Sequence, residues 1–136
     1  MTQLIIRHKH KFLTAVMLAC VAALVLIKVN SSSGGSEEPR TIVLGAREIA
    51  FYIDGQPEQA NPDLRLKAGQ PVNLVIRNDE PEKVLHCFII GGLNVKTHTN
   101  LETGQSETLT FTPDDSGTFT YACLMHPAMA GRVIVE

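Results

Sequence analysis

The sequence predicts an all-β domain, a two-sheet Greek-key β-sandwich, preceded by one N-terminal membrane-anchor or signal helix. Three observations carry this prediction. Short runs of alternating apolar and polar residues recur from position 41 onward, each closed by a turn signal. No stretch after Val29 sustains a helical apolar stripe. Before it lies one continuous apolar run, Phe12 to Val29, behind a cationic flank.

That run is the first element. Its 18 residues, interrupted only by Thr14 and Lys28, span about 27 Å as a helix, close to the hydrocarbon thickness of a bilayer. Arg7-His8-Lys9-His10-Lys11 precede it and stay cytoplasmic under the positive-inside rule, so the C-terminal side is translocated. The glycine-serine stretch NSSSGGSEE that follows reads as a flexible tether. Three readings stay open: a retained signal-anchor, a signal peptide cleaved near Asn30 to Ser33, or a lipoprotein signal ending at Cys20. Nine mostly apolar residues follow Cys20, which favours a small membrane-buried residue there. All three readings place residues 41–136 outside the cytoplasm, membrane-anchored or, after cleavage, secreted and soluble.

The charge divides at the same place. Residues 1–40 carry five basic and two acidic side chains, whereas 41–136 carry seven and twelve, so the net charge of -2 averages a cationic segment with an acidic domain. The absence of a basic domain argues against nucleic acid, and three cysteines are too few for a disulfide scaffold. Within 41–136 the expected strands are Thr41–Glu48, Leu64–Lys67, Pro71–Arg77, Val84–Ile90, Gln105–Phe111, Thr118–Cys123 and Arg132–Glu136. Seven short strands in 96 residues suit an antiparallel two-sheet sandwich. With few aromatics its core is small, so a bound metal would add to its stability.

The chemistry concentrates near the C-terminus. Cys123, His126 and Met129 stand three residues apart in the connection between the last two strands, and His86 lies in the earlier strand VLHCFII. One thiolate, two imidazoles and one thioether make a soft-to-intermediate donor set, that of a trigonal copper site with a weak axial Met. Zinc accepts Cys and His but is poorly served by a thioether, and Mg²⁺ and Ca²⁺ require oxygen donors.

The segment YACLMHPAM, with the upstream DLRLKAGQPVNLVIRNDEPEKVLH, resembles the cupredoxin family of type 1 blue copper proteins, with a short ligand loop of the amicyanin/plastocyanin-like kind. The resemblance spans nearly all of residues 41–136. It implies one Cu(I)/Cu(II) ion held equatorially by His86, Cys123 and His126, with Met129 axial. Four protein ligands leave no open position for substrate, so the expected role is outer-sphere transfer of single electrons, not enzyme catalysis. Three histidines in the domain are too few for a multicopper enzyme, and one loop cysteine is too few for a binuclear copper centre. The expected partners are a donor and an acceptor redox protein, with membrane complexes among the candidates, and the carrier is expected to be a monomer bound to the membrane through its N-terminal segment. The alternative is an exported copper-binding or copper-delivery protein without an electron-transfer role.

Other residues take blander readings. Cys87 stands where the family commonly has Asn, and strand alternation turns it away from the ligand face as a small core residue. Met125 stands where related loops often have Pro, leaving an N–H expected to donate to the Cys123 thiolate. Met125's side chain reads as packing, His98 as a solvated loop residue, and Asp79, Glu80, Glu82, Asp114 and Asp115 as solvated caps that collectively steer a basic partner. His126, on a short loop, is expected to be partly exposed.

Overall fold

The computed structural model describes residues 37–136, so the apolar run, Cys20 and most of the tether lie outside the described residues. The described residues form one compact unit, Glu37–Glu136. Among them no helix is long and apolar enough to cross a membrane.

Among the described residues nine strands run in order: β1 (Arg40–Arg47), β2 (Ala50–Ile53), β3 (Leu64–Leu66), β4 (Val72–Asn78), β5 (Ile89–Ile90), β6 (Val95–Lys96), β7 (Ser106–Phe111), β8 (Gly117–Ala122) and β9 (Ala130–Val135). They form two sheets, ordered β2-β1-β4-β7 and β3-β9-β8-β5-β6. The two-sheet, all-β expectation holds. The expectation of purely antiparallel pairing does not, because β1 runs parallel to β4 and β3 runs parallel to β9. Hairpins cannot make parallel neighbours; these pairs arise from long connections that return the chain to a sheet it had left.

Alternation places the core. In β4, Val72, Leu74, Ile76 and Asn78 point inward while the residues between them are only half-buried. Ile42, Leu44 and Ala46 of β1, Leu109 of β7, and Val133 and Val135 of β9 complete the two inner faces. Phe51, Phe88 and Tyr121 meet near one end, with ring centroids 5.4–5.8 Å apart. Burying three such rings, at about 1.5–3 kcal/mol for a large apolar side chain, stabilises the end that carries the candidate ligands. Tyr121 satisfies its hydroxyl by donating to the Pro62 carbonyl at 2.8 Å.

Two strands lie where the sequence reading assigns none. Phe51-Tyr52-Ile53 before Asp54-Gly55 carries an ordinary strand signal, but the turn before it carries no turn signal. Glu48 and Ile49 join β1 to β2, with φ of 53° and 56°. A two-residue hairpin of this kind favours Asn-Gly, and a β-branched residue at positive φ is strained. The expected strand Val84–Ile90 is also reduced to Ile89–Ile90, with His86 in an isolated bridge to Leu101. This segment changes partners midway, which breaks the alternation on which the reading of Cys87 depended.

Candidate metal centre

His86 is fixed through its backbone first. Its N–H donates to Leu101 O at 3.1 Å, and Leu101 N–H donates back to His86 O at 2.7 Å. The buried side chain of Asn78 anchors both flanks, donating through Nδ2 to Val84 O at 2.7 Å and Leu101 O at 2.9 Å. Its Oδ1 accepts from Glu80 N–H at 3.1 Å. One amide thus ties the start of the ligand segment to the strand end before it.

The His86 ring is then aimed. Its Nε2 faces Glu80 Oε1 at 3.2 Å, and both side chains are buried. With the ring proton on Nε2, Nδ1 presents its lone pair on the other side. Among the described residues, His86 Nδ1 is the only buried side-chain nitrogen or oxygen without a hydrogen-bond partner. An orphaned acceptor at 0% exposure is costly unless something binds it. Burial pushes the His86 pKa down, and the charge of His126 adds to this against the pull of Glu80.

The other donors come from the connection between β8 and β9. Its backbone is cross-tied: Cys123 N–H to Met129 O at 2.9 Å, His126 N–H to Cys123 O at 3.3 Å, and Met129 N–H to His126 O at 2.9 Å. Asn61 secures the outside of the loop, donating to Ala128 O at 3.1 Å while accepting from Phe51 N–H at 3.0 Å. Donor atoms of His86, Cys123 and His126 all lie within 4.8 Å of one another, a group that could hold a metal ion. Cys123 Sγ is 3.6 Å from His126 Nδ1, and the two histidine rings have centroids 4.8 Å apart. Met129 is fully buried in the same loop. A thiolate with imidazoles suits copper, and the vacant lone pair of His86 fits a metal.

The structure corrects three expectations. Glu80 is no solvated cap: it is buried, it holds His86, and it accepts from Ile49 N–H at 3.1 Å. Burial pushes its carboxyl pKa up, but hydrogen bonds from the Ile49 and Glu48 N–H groups and from His86 outweigh this and hold it below the usual range. Cys87 does not turn away from the site. Its Sγ lies 3.8 Å from Cys123 Sγ and accepts from Leu124 N–H at 3.2 Å, while its own N–H points to Cys123 Sγ at 3.5 Å. It still packs in the core, and burial pushes its thiol pKa up. The backbone N–H that faces Cys123 Sγ, finally, is that of Cys87 and not that of Met125.

The remaining readings are simpler. His98 is exposed and bonds Glu107, outside the donor group. Asp79, Glu82, Asp114 and Asp115 are exposed. His126 is half-buried, as a short loop implies. Glu80 and Asn61 stand at no characteristic spacing from a ligand, so only the fold shows what they do. Cys87 had a signal, its position next to His86, but the alternation argument pointed it the wrong way.

The family model for the cupredoxin-like domain matches residues 17–135. Amicyanin of Paracoccus denitrificans is 28% identical over 125 residues, covering 87% of this chain and 94% of that protein. The chain is also similar to two solved structures. Reduced auracyanin from the photosynthetic bacterium Roseiflexus castenholzii has a TM-score of 0.57 at 21% identity, covering 71% of this chain and 96% of that one. Rusticyanin from Thiobacillus ferrooxidans has a TM-score of 0.56 at 22% identity, covering 71% and 76%. At these identities the structures speak for the fold, and the fold agrees with the family match. With its two-sheet sandwich and its His-Cys-His group, the chain belongs to the cupredoxin-like family.

Proposed function

We propose that this protein carries single electrons between redox proteins outside the cytoplasm, using one copper ion held by His86, Cys123, His126 and Met129. The observation that supports this best is the unpartnered Nδ1 of His86, buried and grouped with Cys123 and His126. Bound copper supplies one-electron Cu(I)/Cu(II) chemistry. The chain's part is to hold its donors still. Glu80 orients His86, the cross-tied loop orients Cys123 and His126, and Met129, buried in the same loop, would offer its thioether as a further donor. Small movement of the donors between oxidation states lowers the reorganisation that opposes electron transfer.

Exposed apolar side chains accompany these donors. Leu124 is 73% exposed, Met125 37% and Leu85 43%, each within two residues of a ligand. Such a surface supports brief docking of redox partners without an extensive interface. The cationic flank and apolar run of residues 7–29 support membrane attachment, with the copper domain on the extracytoplasmic side.

The test is to add Cu(II) to the reduced full-length protein in detergent. An intense visible thiolate-to-copper charge-transfer band, lost in Cys123→Ser, is expected. No band, or a band that survives Cys123→Ser, overturns the site. Reversible redox cycling with copper retained supports an electron carrier. Ready release of copper to a metal-free acceptor supports the delivery role instead.

A further inference from the structure

Cys87 and Cys123 form a thiol pair of which the copper site uses only Cys123. Their sulfurs are 3.8 Å apart, and Cys87 N–H points at the Cys123 sulfur. A disulfide bond is about 2.0 Å long, so the two atoms need to approach by under 2 Å to form one. Both side chains are buried, but one of them borders the surface. Cys87 lines a surface groove of about 310 Å³ with Thr97, His98, Asn100, Leu124 and Met125, while Cys123 lies behind it. Cys87 is not part of the His86–Cys123–His126 donor group, which leaves its sulfur free to react with the neighbouring one.

We propose that Cys87 and Cys123 form a reversible disulfide in the metal-free protein, closing the metal site until a thiol reductant reopens it. The oxidant is a low-molecular-weight disulfide, RSSR, entering by the groove. The Cys87 sulfur attacks it, forming a mixed disulfide and breaking the R–S–S–R bond, and its proton leaves with the first RSH. The Cys123 sulfur then attacks Cys87, breaking the mixed disulfide, and its proton leaves with the second RSH. The two cysteines lose two electrons and two protons; RSSR becomes two RSH. A bound metal occupies the Cys123 sulfur, so loading and oxidation exclude each other. That last step rests on the copper reading above, whereas the disulfide itself does not.

Trypsin separates the two cysteines, because Lys83, Lys96 and Arg132 bound the peptides 84–96 and 97–132. The full-length metal-free protein is reduced, treated with oxidised glutathione, alkylated and digested without reductant. The expected product is peptide 84–96 linked to 97–132, two hydrogens lighter than their sum and separated by dithiothreitol. Alkylation of both cysteines, glutathione retained on Cys87, or a link to the peptide containing Cys20 overturns the proposal. Copper uptake from a Cu(I)–bicinchoninate complex is expected to fall at least tenfold after oxidation and to return on reduction. Cys87→Ser is expected to take up copper equally before and after treatment; an equal loss in that variant overturns the proposal. If the linked peptide forms just as readily with copper bound, the disulfide stands and the copper assignment of Cys123 fails.

Discussion

Glu80 shows how one buried carboxylate decides what a histidine can do. Accepting from Nε2 commits the ring proton to that side and leaves Nδ1 as the donor. Glu80→Ala removes the acceptor and strands the Ile49 N–H as well. Copper affinity, read by competition with a chelator, is expected to fall about 10–100-fold, the usual cost of losing such a partner. Glu80→Gln keeps a carbonyl acceptor at the same reach and is expected to lose less. Equal affinity in Glu80→Ala and the parent would show that the ring is aimed by something else. Asn78→Ala tests the same segment from its backbone, since Val84 O, Leu101 O and Glu80 N–H all lose a partner. Each buried group left unpaired costs about 1–3 kcal/mol, so urea denaturation should find a large loss of stability.

At the scale of elements, one hairpin, one cross-strand pair and one ion pair make distinct predictions. Glu48 and Ile49 hold the β1–β2 hairpin at positive φ, where side chains with a Cβ are disfavoured by roughly 1–2 kcal/mol each. Replacing both by Asn-Gly is expected to raise the thermal midpoint, because that pair suits the turn. Gly131 faces Tyr121 across β8 and β9, and a Cβ there would overlap the Tyr121 ring and hydroxyl. Gly131→Ala must therefore displace a fully buried aromatic, at about 1–3 kcal/mol for overpacking. Unchanged stability in this variant would mean that the aromatic cluster yields easily. Arg132 of β9 pairs with Asp63, just before β3, and its hydrogen bond and charge hold the Asp63 carboxyl below its ordinary pKa of 3.8. The unfolded chain takes up that proton at the higher pH. The pair's contribution is thus present above pH 3.8 and lost as pH falls through the lower folded value. Asp63→Asn is expected to be less stable than the parent near neutrality, with the gap closing below pH 3.8; a gap independent of pH would contradict this.

For the whole molecule, metal binding and folding are coupled through the separation of the donors in sequence. His86 and Cys123 stand 37 residues apart in the sequence, and the donor geometry exists only when the sandwich is folded. Copper at 1,000 times its Kd should then stabilise the fold by about 4 kcal/mol, read as a higher thermal midpoint. A midpoint that does not move on copper addition would mean that the unfolded chain binds as well as the folded one.

Much of this was legible in the residues. The alternation of β4 and the turn signals Ala68-Gly69 and Asn78-Asp79 marked strands that the structure contains, because a period of two and a turn residue are local properties. The spacing of Cys123, His126 and Met129 marked the candidate ligand loop, because a loop of seven residues must keep its own side chains together. The β1–β2 hairpin was hidden because Glu48-Ile49 is held in its turn by tertiary contacts and not by its own preference. What the sequence by itself determined is the all-β class and the set of candidate donors, which depend on local pattern and chemistry. Only the tertiary structure decided the parallel pairings, the inward turn of Glu80 onto His86, and the contact of Cys87 with Cys123. Each of these joins segments distant in sequence or departs from regular alternation, so its energy lies in packing and hydrogen bonds that no single segment contains.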